Sequence, residues 1–121
     1  MESLSEEQKS DLMELQSIQQ QMQLVLMRKQ QLLLQQNETG KALEEIGKAS
    51  GKLYRLAGSV MVEKEKSVLQ SELKEEKESV EVRLSAFGKQ EKKLKDRFEE
   101  LRKKLEKSLP RQPSGESASL S

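Results

Sequence analysis

Leucines and other apolar residues spaced three and four apart constrain this chain more than any other feature. In residues 6–48 a seven-residue frame with a at Leu15, Met22, Lys29, Gln36 and Leu43 places d at Ile18, Val25, Leu32, Thr39 and Ile46. Seven of those ten positions are apolar. Residues 66–108 carry a second frame. Its d positions, Leu73, Val80, Phe87, Leu94 and Leu101, are all apolar, as are three of its a positions, Leu84, Phe98 and Leu105, beside Lys77 and Glu91. A repeat of 3.5 residues keeps one narrow stripe of a helix against a partner, so both stretches are predicted as coiled-coil helices.

The composition agrees with a fold that buries only such a stripe. Of 121 residues, 33% are hydrophobic and 2% aromatic, too few for a globular core of this length, while 36% are charged. Nineteen leucines at helical spacing argue against disorder. The first helix has start and stop signals. Ser5 with Gln8 spells a capping box, Glu6, Glu7 and Asp11 suit a helix N-terminus, and Gly51 suits its end. Gly40 and Gly47 soften its last turns. Ser67 with Gln70 spells a second capping box, and Arg102, Lys103, Lys104 and Lys107 stand where a helix C-terminus favours cations. Pro110 stops the second helix, and residues 110–121 read as a disordered tail, leaving 1–109 as one domain. Each helix of about 43 residues spans roughly 64 Å. A connection of only about 15 residues returns the second antiparallel to the first, with both chain ends at one tip.

The connector has its own signal. Leu53-Tyr54-Arg55-Leu56-Ala57 and Val60-Met61-Val62-Glu63 are β-prone and flank Gly58-Ser59, a two-residue type II′ turn signal. The predicted hairpin, about residues 53–63, puts Tyr54, Leu56 and Met61 on one face and Leu53, Ala57, Val60 and Val62 on the other. A slip of one residue exchanges the faces, so the register stays open. Two partly apolar faces and two unpaired edges make an isolated hairpin marginal and prone to strand addition. Assembly through Tyr54, Leu56, Val60, Met61 and Val62 is expected, with other chains supplying strands. The alternative is a hairpin folded down on its own helices.

Several function classes fall away. The chain has no Cys and no His, which removes thiol and Ser-His catalysis, disulfides and His-ligated metals. Gly47-Lys48-Ala49-Ser50-Gly51-Lys52 has three residues between its glycines and Leu53 after its lysine, so it is no phosphate loop. The many carboxylates lack a pocket to perturb them for acid-base work. No enzyme activity, cofactor or metal is expected. The longest apolar run is the four residues Leu24–Met27 and Met1-Glu2-Ser3 is acidic, so neither a membrane helix nor a signal peptide is expected, and the location is read as cytoplasmic. Net charge is +1, which disfavours nucleic acid as a partner. Residues 1–50 carry 5 basic and 8 acidic side chains, and residues 51–109 carry 16 and 12, so the halves differ in sign.

The first helix has more apolar residues than its seam requires. Leu12, Leu26 and Leu33 fall at e, and Met13, Met27 and Leu34 at f, an outward stripe for apolar partners or a neighbouring subunit. The nine glutamines within 16–36 read as a neutral polar face. At the tip, Leu4, Leu12 and Met13 lie near Leu105 and Leu109, where fraying helix ends offer apolar grip to non-native chains or close on one another.

The stretch Gln23–Gln31, with Lys41-Ala42-Leu43-Glu44-Glu45-Ile46, resembles the first helix of prefoldin beta subunits. Leu53–Val62 resembles their Tyr-Lys-x-x-Gly-x-hydrophobic hairpin, with Arg55 for the commoner Lys. Glu72-Leu73-Lys74-Glu75, Glu81-Val82-Arg83-Leu84 and Gln90-Glu91 resemble their second helix. The likeness covers about residues 10–108, and Ala49-Ser50-Gly51-Lys52 departs from the acidic stretch expected there. The resemblance implies an archaeal-type beta subunit whose hairpin joins an oligomeric β-barrel of two alpha and four beta subunits. It implies an ATP-independent holdase that captures unfolded proteins at coiled-coil tips and delivers them to a group II chaperonin. The competing reading is a coiled-coil scaffold or spacer bound to a specific folded partner.

Overall fold

A computed structural model describes residues 4–108. In chain order these form α1 (Glu6–Lys48), β1 (Leu53–Ala57), β2 (Val60–Lys64) and α2 (Lys66–Ser108). Leu109 and the tail expected over 110–121 lie outside the described residues. The elements fall into two compact units. One joins α1 up to Leu26 with α2 from Lys89 onward; the other is Met27–Gly88, which holds the hairpin.

In the first unit the ion pairs show the helices running antiparallel. Glu14 pairs with Arg97, and Glu7, seven residues earlier, pairs with Lys104, seven residues later. Ile18 and Val25 on α1 are buried, as are Leu101 and Leu105 on α2, and Leu15, Met22, Leu94 and Phe98 are half-buried. The Ser5 capping box forms: the Ser5 N–H donates to Gln8 Oε1 at 2.9 Å and the Gln8 N–H to Ser5 Oγ at 3.0 Å.

In the hairpin unit Leu32 and Thr39 on α1 and Leu69, Leu73 and Val80 on α2 are buried. α1 closes with the Ala49 N–H on the Ile46 carbonyl and with Gly51 at φ +87°, a conformation that favours glycine. The expected second capping box is displaced. α2 begins at Lys66 with the Leu69 N–H on the Glu65 carbonyl, so Ser67 already lies inside the first turn. A cation in that first turn opposes the helix dipole. Lys66 instead turns its ammonium to the end of α1 and donates to the Gly47 and Ala49 carbonyls at 3.1 and 3.2 Å. Among the described residues no buried side-chain nitrogen or oxygen lacks a partner.

The run Leu32-Leu33-Leu34 separates seam from surface. Leu32 is 5% exposed, whereas Leu34 is 59% exposed. Leu32→Ala removes a packed side chain and should cost about 2–5 kcal/mol of unfolding free energy. Leu34→Ala should shift it by no more than about 0.5 kcal/mol. Urea unfolding of the two variants under identical conditions checks the frame.

Candidate functional site

The hairpin pairs Ala57 with Val60, Leu56 with Met61, Arg55 with Val62, Tyr54 with Glu63 and Leu53 with Lys64. Gly58 takes φ +64° and no other residue type has positive φ among the described residues, the pattern of a type II′ turn at Gly58-Ser59. This register settles the faces. Tyr54, Leu56, Met61 and Glu63 share one; Leu53, Arg55, Ala57, Val60, Val62 and Lys64 share the other. The five residues expected to carry assembly therefore divide between two faces rather than forming one patch. All five are exposed, Leu56 at 68% and Val60 at 60%. Among the described residues the sheet has two strands only, so both edges present unpaired backbone groups.

One hairpin face leans towards α2 without being sealed by it. Arg55 and Lys64 both reach Glu72, and Arg55 also reaches Glu76. Between hairpin and helix an open groove of about 640 Å³ has Ala57 and Val62 on one wall and Glu75 and Ser79 on the other. The Lys64 hydrogen bond, with that of Arg55, holds the Glu72 carboxyl below the usual carboxylate range, and Glu76 with Glu72 raises the Arg55 guanidinium.

The residues expected to grip clients are placed in different ways. Leu4 and Leu12 are half-buried, Met13 stands 70% exposed, and Leu105 is 5% exposed. Around them the helix ends are latched by polar contacts. The Lys104 ammonium lies 2.8 Å from Glu7 and 3.1 Å from Asp11, and Gln8 Nε2 donates to the Ser108 carbonyl at 3.1 Å. Those two carboxylates raise the Lys104 pKa. On the flank of the same unit, Met22, Leu26 and Phe98 floor a groove of about 580 Å³ between Gln19 and Gln23 on one side and Glu91 and Lys95 on the other. The outward stripe is exposed at Met13, Leu26, Met27, Leu33 and Leu34, with Leu24 in addition. No described helix is long and apolar enough to cross a membrane.

Comparison with known proteins decides what this combination of helices and hairpin is. A family model described as prefoldin subunit matches residues 9–112. The prefoldin beta subunit of Thermococcus gammatolerans is 41% identical over 111 residues, covering 90% of this chain and 95% of that protein. The chain belongs to the prefoldin beta-subunit family. The beta subunit of Pyrococcus furiosus is 37% identical with the same coverage, and that of Archaeoglobus fulgidus is 35% identical over 79% of this chain. The crystal structure of the prefoldin beta subunit from Thermococcus strain KS-1 matches with TM-score 0.81 and 37% identity, covering 93% of this chain and all of that one. Membership makes this a chaperone subunit rather than an enzyme, and two long helices joined by a two-stranded hairpin are the shared prefoldin architecture.

Two features of this prefoldin chain escape a search for apolar periodicity. Asp11 occupies the d position one heptad before Ile18 and is buried, held by Lys104. Arg55, Lys64, Glu72 and Glu76 form a cluster whose signal is one cation on each strand, on one face, opposite two carboxylates four residues apart.

The ion pair across the first unit gives a pH test. Arg97 grips Glu14 bidentately, Nε to Oε2 at 2.8 Å and Nη2 to Oε1 at 2.9 Å. That hydrogen bonding holds the Glu14 carboxyl below its ordinary 4.5. A folded-state pKa below the unfolded one contributes stability above about pH 4.5, lost as pH falls through the lower value. Glu14→Gln should thus lower the urea midpoint at pH 7, with the difference from the parent shrinking as pH falls below about 4.5. A loss that does not shrink with falling pH would refute the assignment.

Proposed function

We propose that this chain is a subunit of an ATP-independent holdase that assembles through its hairpin and holds unfolded proteins at its helix ends. The observation that carries the reading is a two-stranded sheet whose edges are both unpaired and whose faces both expose large apolar side chains. Such a hairpin gains stability when other chains add strands to it and cover its faces. In the hetero-hexamer of two alpha and four beta subunits that the family resemblance implies, Tyr54, Leu56, Val60, Met61 and Val62 would line the strands of a shared barrel. An alpha subunit, unfolded clients and a group II chaperonin are the proposed partners.

Capture then rests on weak apolar contacts multiplied over several arms, each contact raising the effective concentration of the next. Met13 is available as the chain stands. Leu4 and Leu12 offer part of their surface, and Leu105 contributes once the two helix ends part. Leu109 joins the set as a residue next to the last turn of α2.

Two measurements test the reading. Val60→Asp with Val62→Asp should keep the helical circular dichroism of the parent and abolish oligomers in sedimentation velocity; an unchanged mass would remove the hairpin from assembly. The chain, with an alpha subunit, should delay aggregation of a denatured protein without nucleotide, and Met13→Asp should weaken that delay. No delay by the assembled parent would favour the scaffold reading.

A further inference from the structure

The exposed strands explain how the hairpin meets other chains, but not what sets its angle on its own helix. β2 ends at Lys64 and α2 begins at Lys66, so Glu65 alone joins them. Leu53 is half-buried on the face that leans towards α2, but Val60 and Val62 on that face stay exposed, so apolar contact alone does not seal the two together. What does cross the gap is charge. Arg55 Nη1 donates to Glu72 Oε1 at 3.1 Å, and Lys64 Nζ donates to Glu72 Oε2 at 2.8 Å. Arg55 Nη2 lies 2.6 Å from Glu76 Oε2. One carboxylate therefore gives an oxygen to each strand, and a second carboxylate one turn along α2 takes the remaining arm of the guanidinium. These side chains are only about one-third exposed, which reduces their screening by water and salt.

We infer that Glu72 is the positioning residue of the hairpin: with Glu76 it fixes both strands to α2, through Arg55 and Lys64, at the angle from which assembly proceeds. The last clause rests on the assembly reading above; the tether itself is a property of the single chain. Two contacts to one carboxylate matter because they stop rotation as well as separation. A single pair would leave the hairpin free to turn about that contact. The groups facing the cluster are Arg55 from β1, Lys64 from β2 and Glu72, Glu75 and Glu76 from α2. The Lys52–Glu63 pair involves the opposite hairpin face.

The tether also has an acid limit. Lys64 and Arg55 keep Glu72 ionised below the usual carboxylate range, so the contact is complete above about pH 4.5 and is lost as pH falls through the lower folded value. The hairpin is then free to swing about Glu65 while the helices keep their seam.

The chain has no cysteine, so Ser59→Cys and Ser85→Cys give two unique sites for spin labels on the turn and on α2. Labelled chain diluted with unlabelled chain confines the distances to one molecule. Pulsed electron paramagnetic resonance at pH 7 should give one narrow distance distribution, which broadens as the pH is lowered stepwise below about 4.5 while helical circular dichroism persists. Glu72→Gln with Glu76→Gln should already be broad at pH 7, at least doubling the width, and should show little further change on acidification. Arg55→Gln with Lys64→Gln should reproduce the broadening from the strand side, whereas Glu14→Gln should leave it unchanged. A narrow distribution at pH 7 in both double variants, or equal broadening by Glu14→Gln, would overturn the inference. Because the readout is intramolecular, it stands or falls independently of chaperone activity.

Discussion

Two helices that meet along a single strip can withdraw few side chains from water. Here the strip is chiefly Ile18, Val25 and Leu32 on α1 and Leu69, Leu73, Val80, Leu101 and Leu105 on α2. Each full burial is worth about 1.5–3 kcal/mol, and this gain has to offset the ordering of two 43-residue helices. Little apolar surface is left to shield the hairpin, where Leu53 is half-buried and Leu56, Val60, Met61 and Val62 remain in solvent. The exposure of the hairpin thus originates in the narrowness of the seam as much as in the strands.

A leucine strip also has a weakness that the charges correct. One heptad resembles the next, so an antiparallel pair can slide by seven residues at small cost in buried area. Pairs at defined positions raise that cost. Glu14 with Arg97, and Glu7 and Asp11 with Lys104, hold one alignment in the first unit. Arg55 and Lys64 on Glu72 do the equivalent between hairpin and helix. These are partly exposed contacts of modest strength, and their role is to select an arrangement rather than to supply its stability.

What could be read from the sequence follows from the same division. Periodicity alone separated Leu32 from Leu33 and Leu34, because the seam has a fixed phase and those three neighbours point in different directions. Gly58 announced its turn because few other residues tolerate its φ. The cap at Ser67 was misplaced because Ser-x-x-Gln describes a local bond, while the start of α2 is set by how tightly β2 runs into it. Asp11 stayed hidden because the frame starts at Leu15 and an acid so near the start of α1 is already explained by the helix dipole. Among the candidate capture residues, the frame puts Met13 at an outward f position and Leu105 at a seam a position, and their exposures of 70% and 5% follow that difference.

The two connections of the hairpin are unequal. β1 follows α1 after four residues, Ala49–Lys52, whereas β2 passes into α2 through Glu65 alone, with Glu72 bracing the corner. α1 is tied at that end by the Lys66 ammonium on its last carbonyls. A pull or twist applied to the strands therefore travels into α2 through one residue and reaches α1 through the longer Ala49–Lys52 connection, the Lys66 hydrogen bonds and the buried seam. Mechanically, α2 is the lever and α1 the follower, so a load on the strands is borne first at the bend around Glu65.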